Sequence, residues 1–379
     1  LKQLKKAAVL LIALMLVLCS CSAQKQEKKP SEKPSVPTTN EQTGVEKDSP
    51  NKDDSSINNE HINENEPEEH FEYVNPLTGM GCHEDLSNVR PIAVMVNNLK
   101  AALPQIGVSQ ADVIYETLEE GGITRLLCIF NDYSDIEELG SIRSARDYYI
   151  DISDAHDAIF VHAGGSVYAY SDLSSRRTNN IDGLYVSQFY RSQERKKTMA
   201  TEHTLMISGS GLEQAIADKG YRTASDNPSP LVFSENYTKG TTVANHIEFP
   251  FSIGYTSNPY VKAFFDYDEN TGTYLKGQFD QPHIDGNGNI QLAFKNVITL
   301  TCPMNRIVGD TSGCIQVHFT GTGIGTYSVD GTQREIVWKK PSRSSAYTLY
   351  ESDGVTPLVI APGKSYIAVV PTGTNITTN

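Results

Sequence analysis

Residues 22–70 hold no aromatic side chain and only five aliphatic ones, Ala23, Val36, Val45, Ile57 and Ile62. A stretch of that make-up has nothing to bury against the entropy of ordering its backbone, so it cannot belong to a core. Six lysines stand there against twelve acidic residues, among Pro, Ser and Asn. A disordered polar tether is expected. All folding must come from residues 71–379, and what precedes the tether must serve another purpose.

What precedes it is Lys2, Lys5 and Lys6 followed by an uncharged run over 7–18. At about 1.5 Å per residue that run is too short to cross roughly 30 Å of hydrocarbon comfortably, and it reads as an export signal. Leu18-Cys19-Ser20-Cys21 closes it. This segment resembles the bacterial lipobox, with Leu18 three positions before the modified cysteine and small Ser20 just before it. The resemblance makes Cys21 the lipidation site. A diacylated Cys21 would hold residues 22–379 at the outer face of the cytoplasmic membrane, each buried methylene contributing about 0.8 kcal/mol.

The chain carries a formal charge of −14. Neutralising phosphate along nucleic acid needs clustered Lys and Arg, so DNA or RNA is not expected as a partner. Residues 71–379 are long enough for a sizeable core. They also contain Cys82, Cys128, Cys302 and Cys314. Outside the membrane disulfides are permitted; three pairings are open to four cysteines, and Cys302 with Cys314 is the most local.

Apolar runs at 91–96, 113–118, 123–130 and 158–162 read as buried strands, the middle two as a hairpin across Glu119-Glu120-Gly121-Gly122. Helices are expected near 144–153, after Gly164-Gly165-Ser166, and after Ser210, whose spacing to Glu213 suits a capping box before a stop at Gly220. Polar residues with Pro228 and Pro230 then suggest a connection. Beyond it, strand-like runs at 261–267, 274–279, 290–300, 314–319, 333–338 and 365–370 alternate with turn signals. The expected fold is α+β: signal peptide 1–21, tether 22–70, a mixed α/β domain 71–235 and a mainly β domain 236–379. No internal repeat is present.

A buried strand that turns through two glycines into a helix presents backbone N–H groups and positive dipole at one point. His162-Ala163-Gly164-Gly165-Ser166 has that form, with Ser166 placed to cap the helix or to donate to a bound oxygen. Charge adds to the case. Residues 141–200 carry eight basic against seven acidic residues in an otherwise acidic protein. Arg143 and Arg146, three apart, can present two guanidinium forks to carboxylate or phosphate. Asn97 and Asn98 end the 91–96 strand, and ligands gather at the carboxyl ends of strands in α/β sheets. The expected ligand site is thus Asn97, Asn98, Arg143, Arg146, His162, Gly164, Gly165 and Ser166.

Catalytic candidates are fewer. His162 and His203 could shuttle protons if they face a cleft. The Gly164-Gly165-Ser166 segment lacks the final glycine of a nucleophile elbow. Thr311-Ser312-Gly313-Cys314 is similar to the segment around the nucleophilic cysteine of the L,D-transpeptidases, but no histidine lies shortly upstream to activate Cys314. No H-E-x-x-H or C-x-x-C spacing occurs, so neither a metal nor a cofactor is expected.

Several stretches together are distinctive: Arg90-Pro-Ile-Ala-Val-Met-Val-Asn-Asn98, Ser109-Gln-Ala-Asp-Val-Ile-Tyr-Glu116, Glu120-Gly-Gly-Ile-Thr-Arg125, Ser141-Ile-Arg-Ser-Ala-Arg146 and His162-Ala-Gly-Gly-Ser166. They resemble the YerB-like lipoproteins of Gram-positive bacteria, and 337–343 and 363–371 resemble the C-terminal domain of that family. Thr204 departs from the Asn expected after His203. The resemblance implies an exported, lipid-anchored cell-envelope protein built from two domains of unknown function, with no catalytic residues to carry over. The expected role is binding of an anionic envelope component, a peptidoglycan or teichoic-acid fragment, or a partner protein of the wall machinery. The alternative is a wall-modifying enzyme, hydrolase or transpeptidase-like, using His162, His203 or Cys314.

Overall fold

Tyr115 and Glu116 are adjacent in one strand, and strand alternation sends them to opposite faces of a sheet. Tyr115 reaches His156 and Tyr347, while Glu116 reaches Tyr366 and Lys276. Both are fully buried, so the sheet is covered on each side. The computed structural model that shows this describes residues 71–225, 229–252 and 261–379. The export signal, Cys21 and the tether lie outside the described residues.

The central sheet draws on both halves of the sequence. Its strands are β1 (Ile92–Asn97), β2 (Val113–Leu118), β3 (Thr124–Phe130), β4 (Ile159–His162), β5 (Asn180–Asp182), β6 (Thr242–Val243), β10 (Asn296–Cys302), β11 (Gly321–Val329), β12 (Thr332–Lys340), β13 (Thr348–Glu351) and β14 (Ser365–Pro371). They lie in the order β6-β12-β11-β10-β14-β2-β3-β1-β4-β5, with β13 also on β12. β14 is the seam. It runs parallel to β2 on one side and to β10 on the other. Every residue of β1, β2, β3 and β14 is buried, which explains their continuous apolar runs. The described residues form one compact unit.

A second, antiparallel sheet of β7 (His246–Phe251), β8 (Val261–Asp268) and β9 (Thr273–Gln278) covers the Glu116 face. In β7 every second residue is buried, the pattern of a strand with one face on a core. Phe265 of β8 and Phe294 meet Tyr366 of β14 with ring centroids 4.8 and 5.5 Å apart. On the Tyr115 side lies α1 (Asp147–Ala155), whose Tyr149 hydroxyl donates to the carbonyls of Thr117 and Arg125. α2 (Val167–Arg176) connects the parallel strands β4 and β5, and α3 (Gly209–Lys219) follows.

Strand makes up 41% of the structure and helix 15%, in mixed sheets. The molecule is α+β in that broad sense. Three local expectations need correcting. α1 begins at Asp147, after Ala145 and Ser166 have joined two loop segments by backbone hydrogen bonds. α3 is capped by Ser208, whose hydroxyl accepts from Gly211 N at 3.1 Å, and not by Ser210. The single strand expected over 290–300 is broken into Ile290–Gln291, Ala293–Phe294 and β10.

Candidate functional site

The carboxyl ends of β1 and β4 and the turn joining β2 to β3 meet at one end of the sheet. Two backbone segments line up there, Ala145 N donating to Gly164 O at 2.8 Å and Ser166 N to Ala145 O at 3.3 Å. The glycine corner therefore lies beside the arginine loop, as ligand grouping at strand ends would require.

The corner itself is already occupied by a carboxylate of the same chain. Asp182, at the end of β5, accepts from Gly164 N at 2.9 Å and Leu184 N at 3.0 Å through one oxygen, and from the Tyr170 hydroxyl at 2.7 Å through the other. Gly164 reaches this position with φ of 74°, a left-handed conformation that glycine adopts without strain. Ser166 is the N-cap of α2, accepting from Ala169 N at 3.1 Å. His162 is fully buried, with Nδ1 2.8 Å from Gly164 O and Nε2 3.2 Å from Asn180 Oδ1. It braces the turn. Gly165 lies against Ala145, where an added Cβ would sit 3.4 Å from the alanine Cβ.

The two arginines have different circumstances. Arg146 forks onto Glu120, with Nε 3.0 Å from Oε2 and Nη2 on Oε1, and donates to Ala145 O at 2.8 Å. Behind it Glu119 is fully buried and ion-paired to Arg125 at 2.9 Å. Burial pushes the Glu119 carboxyl up, against the pull of Arg125, Arg146 and Arg143. Arg146 is thus committed internally. Arg143 is half-buried, and its Nη1 donates to Glu202 O at 3.2 Å. Its Nε is shielded from solvent and has no acceptor among the described residues.

His203 stands next to Arg143. Asn97 Nδ2 lies 2.8 Å from His203 Nδ1, and the Asn97 Oδ1 accepts from Leu99 N at 3.1 Å. The second contact fixes which end of the amide faces the ring. The amide N–H donates, Nδ1 accepts, and Nε2 carries the imidazole proton. Burial holds the His203 pKa below its ordinary value, with Arg143 and Arg195 adding to the effect and Glu202 opposing it. The ring is neutral at pH 7. Thr204 is buried and donates to Thr201 O at 2.8 Å, closing the short turn that positions His203.

Asn98 faces inward, away from this cluster. It is buried in a polar network, donating toward Glu116 at 2.9 Å and Thr124 at 2.8 Å and accepting from Gln105 at 2.9 Å and Gln278 at 2.8 Å. Lys276 and His283, both buried, complete it at 3.0 Å from one another. The sequence carries no sign of this network, because its members come from both halves of the chain. Asp182 is equally hidden, as a lone carboxylate at the end of a short strand.

Cys314 is buried, and burial together with Asp310 beside it pushes its thiol pKa up. His318 is engaged by Asn305 at 3.0 Å. Nothing here generates a thiolate. Cys82, Cys128, Cys302 and Cys314 are all free thiols, so the local Cys302–Cys314 pairing is absent. Among the described residues no group of His, Cys, Asp or Glu is arranged to hold a metal ion, and no helix is long and apolar enough to cross a membrane.

Comparison with known proteins adds a family. Residues 77–222 match the family described as "Protein of unknown function (DUF3048) N-terminal domain", and residues 251–367 match the corresponding C-terminal domain. The chain is similar to "Putative lipoprotein YerB" of Bacillus subtilis (strain 168), 30% identical over 298 residues that span 78% of this chain and 86% of the relative. The crystal structure of YerB protein from Bacillus subtilis superposes with a TM-score of 0.70 at 28% identity, covering 80% of this chain and 99% of that one. The two family matches fall on either side of the β6–β7 region, and the fold joins them through β14. By sequence and by architecture, the chain belongs to the YerB family, and it carries both the N- and the C-terminal domain of DUF3048.

Proposed function

We propose that this protein is an extracytoplasmic lipoprotein, tethered through Cys21 and residues 22–70, that binds an anionic component of the cell envelope at the carboxyl end of β1. The lipobox-like Leu18-Cys19-Ser20-Cys21 and the word lipoprotein in the relative's name support the anchoring. The observation that carries the binding site is the nearness of Arg143 to His203, whose charged form its guanidinium disfavours. Among the described residues Arg143 makes one hydrogen bond, from Nη1 to Glu202 O, which leaves Nη2 for a ligand, and the Asn97 contact puts the His203 proton on Nε2. Donors set side by side suit carboxylate or phosphate. Arg146, His162, Gly164, Gly165 and Ser166 then act as the scaffold that holds this edge of the sheet, and Asn97 orients the imidazole.

Candidate ligands are stem-peptide carboxylates of peptidoglycan and teichoic-acid phosphates at the outer face of the membrane of a Gram-positive cell. Calorimetric titration of a muramyl pentapeptide and of a glycerol-phosphate oligomer into the purified chain tests the reading. Arg143→Gln should weaken binding of one of them at least tenfold, and His203→Ala should weaken the same one. Equal affinities for wild type and both variants would remove this site from the account.

A further inference from the structure

The turn joining β9 to the short strand Gln281–Pro282 has two central residues, Phe279 and Asp280, because Gln278 pairs with Gln281 across it. Both central residues are left-handed, with φ of 54° and 58°. Two-residue hairpins of this kind favour Asn-Gly, Asp-Gly or Gly-Gly, since a left-handed backbone crowds a Cβ and a bulky aromatic most of all. An aromatic ring held there against the backbone's preference marks a place where the ring has a use.

The ring lines a cavity of about 440 Å³ between this turn and the loop after β1. Leu103, Pro104, Phe279 and Ile284 form apolar walls, and Gln278 lies at the floor. Gln278 is held in the buried network by Asn98 and Lys276, so the floor is rigid. The opposite wall is fixed as well. Arg195 donates to the carbonyls of Ala102 at 2.7 Å and Pro104 at 2.8 Å. At the rim, Lys100 is exposed and its Nζ stands 6.0 Å from the centre of the Phe279 ring. It is the single charged residue among those lining the cavity.

Gln281 and Asn289 add amide groups to the lining; a cavity of this volume that sets apolar walls beside a limited set of polar groups suits a small molecule. We infer that this cavity binds a small organic anion with a planar apolar body, stacked on Phe279 with its acidic group toward Lys100. Neither Arg143 nor His203 lines this cavity, so the site is distinct from the one proposed above.

The probe is 8-anilinonaphthalene-1-sulfonate, a planar apolar anion whose fluorescence rises on transfer out of water. Titrated into the full chain, it should show saturable binding at one site. Phe279→Gly should weaken it at least tenfold while the chain stays folded by circular dichroism, because glycine suits the left-handed turn and offsets the lost packing of the ring against the core. Lys100→Gln, a substitution at an exposed position that does not disturb the core, should weaken it severalfold, and Arg143→Gln should leave it unchanged. Wild-type affinity in Phe279→Gly would overturn the site. Wild-type affinity in Lys100→Gln would overturn the anionic class of ligand, and loss in Arg143→Gln would assign the probe to the other site instead.

Discussion

Asn97 Nδ2 lies 2.8 Å from His203 Nδ1, and the same asparagine's Oδ1 is held by Leu99 N. One amide thereby decides the tautomer of the imidazole beside Arg143. Burial lowers the His203 pKa, so the ring stays neutral and offers Nε2–H as a donor at neutral pH.

That relationship predicts the behaviour of Asn97→Asp. A carboxylate facing Nδ1 favours the imidazolium, and an adjacent opposite charge raises a histidine pKa by about 1–2 units. Following the His203 ring proton by NMR across a pH titration should show the wild-type ring titrating below an ordinary histidine and the variant titrating above the wild type. Coincident curves would mean that Asn97 does not set the state of the ring.

Asp182 gives a second expectation. It satisfies Gly164 N, Leu184 N and the Tyr170 hydroxyl, so Asp182→Ala leaves three donors at the glycine corner without their acceptor. Of the three only Gly164 N is fully buried, while Tyr170 and Leu184 are exposed enough to turn to water; a buried donor left unsatisfied costs about 1–3 kcal/mol, and urea unfolding should show a loss of that order. Acetate or formate at high concentration should recover part of that loss in the variant and none in the wild type. An unchanged midpoint would mean that water replaces the carboxylate at no cost.

The difference between what residues 91–130 revealed and what residues 160–185 concealed has a physical basis. β1, β2 and β3 are buried on both faces, and their apolar runs announce them. β11 is built from Gly321-Thr-Gly-Ile-Gly-Thr-Tyr-Ser-Val329 and carries no such signal. Two of its three glycines are there for the neighbours: a Cβ on Gly325 would meet Thr299 O at 2.1 Å, and one on Gly323 would meet the Trp338 indole nitrogen at 2.5 Å. A requirement set by an adjacent strand is invisible along the chain. The site divides in the same way. Asn97, Arg143 and the glycine corner could be grouped from their strand ends, whereas Asp182 filling the corner and Glu120 holding Arg146 depend on how the ends pack.

Asp112 makes stability depend on pH. Burial raises its carboxyl to about 6, against hydrogen bonds from Asn131 N and Asn75 and the charge of Lys364. An unfolded aspartate titrates near about 3.9. Between those values the folded chain holds a proton that the unfolded chain has released, so this group's contribution to stability is full below about pH 4 and declines as pH rises toward 6. A raised carboxyl of this size corresponds to a loss on the order of 3 kcal/mol across that window. Urea midpoints measured for wild type and Asp112→Asn should diverge in pH dependence there, the variant having the flatter fall. Parallel curves would show that Asp112 ionises normally.

The buried pair of Glu116 and Lys276 joins the central sheet to the second sheet, their charged atoms 3.4 Å apart and both side chains without solvent exposure. Such a pair differs from a surface ion pair, since removing one partner strands the other charge in the interior at a cost of about 3–5 kcal/mol. Lys276→Met should therefore destabilise strongly, although the Tyr366 hydroxyl, 2.7 Å away, and Asn98 still donate to Glu116. Adding Glu116→Gln to that variant removes the stranded charge and should recover much of the loss, so the two changes are non-additive by more than about 1 kcal/mol. The same double variant frees Gln278 from the Lys276 contact at 3.2 Å, loosening the floor of the Phe279 cavity. Thermodynamic cycles from urea unfolding of the four chains measure the coupling. Simple additivity would show that Glu116 and Lys276 do not interact across the two sheets.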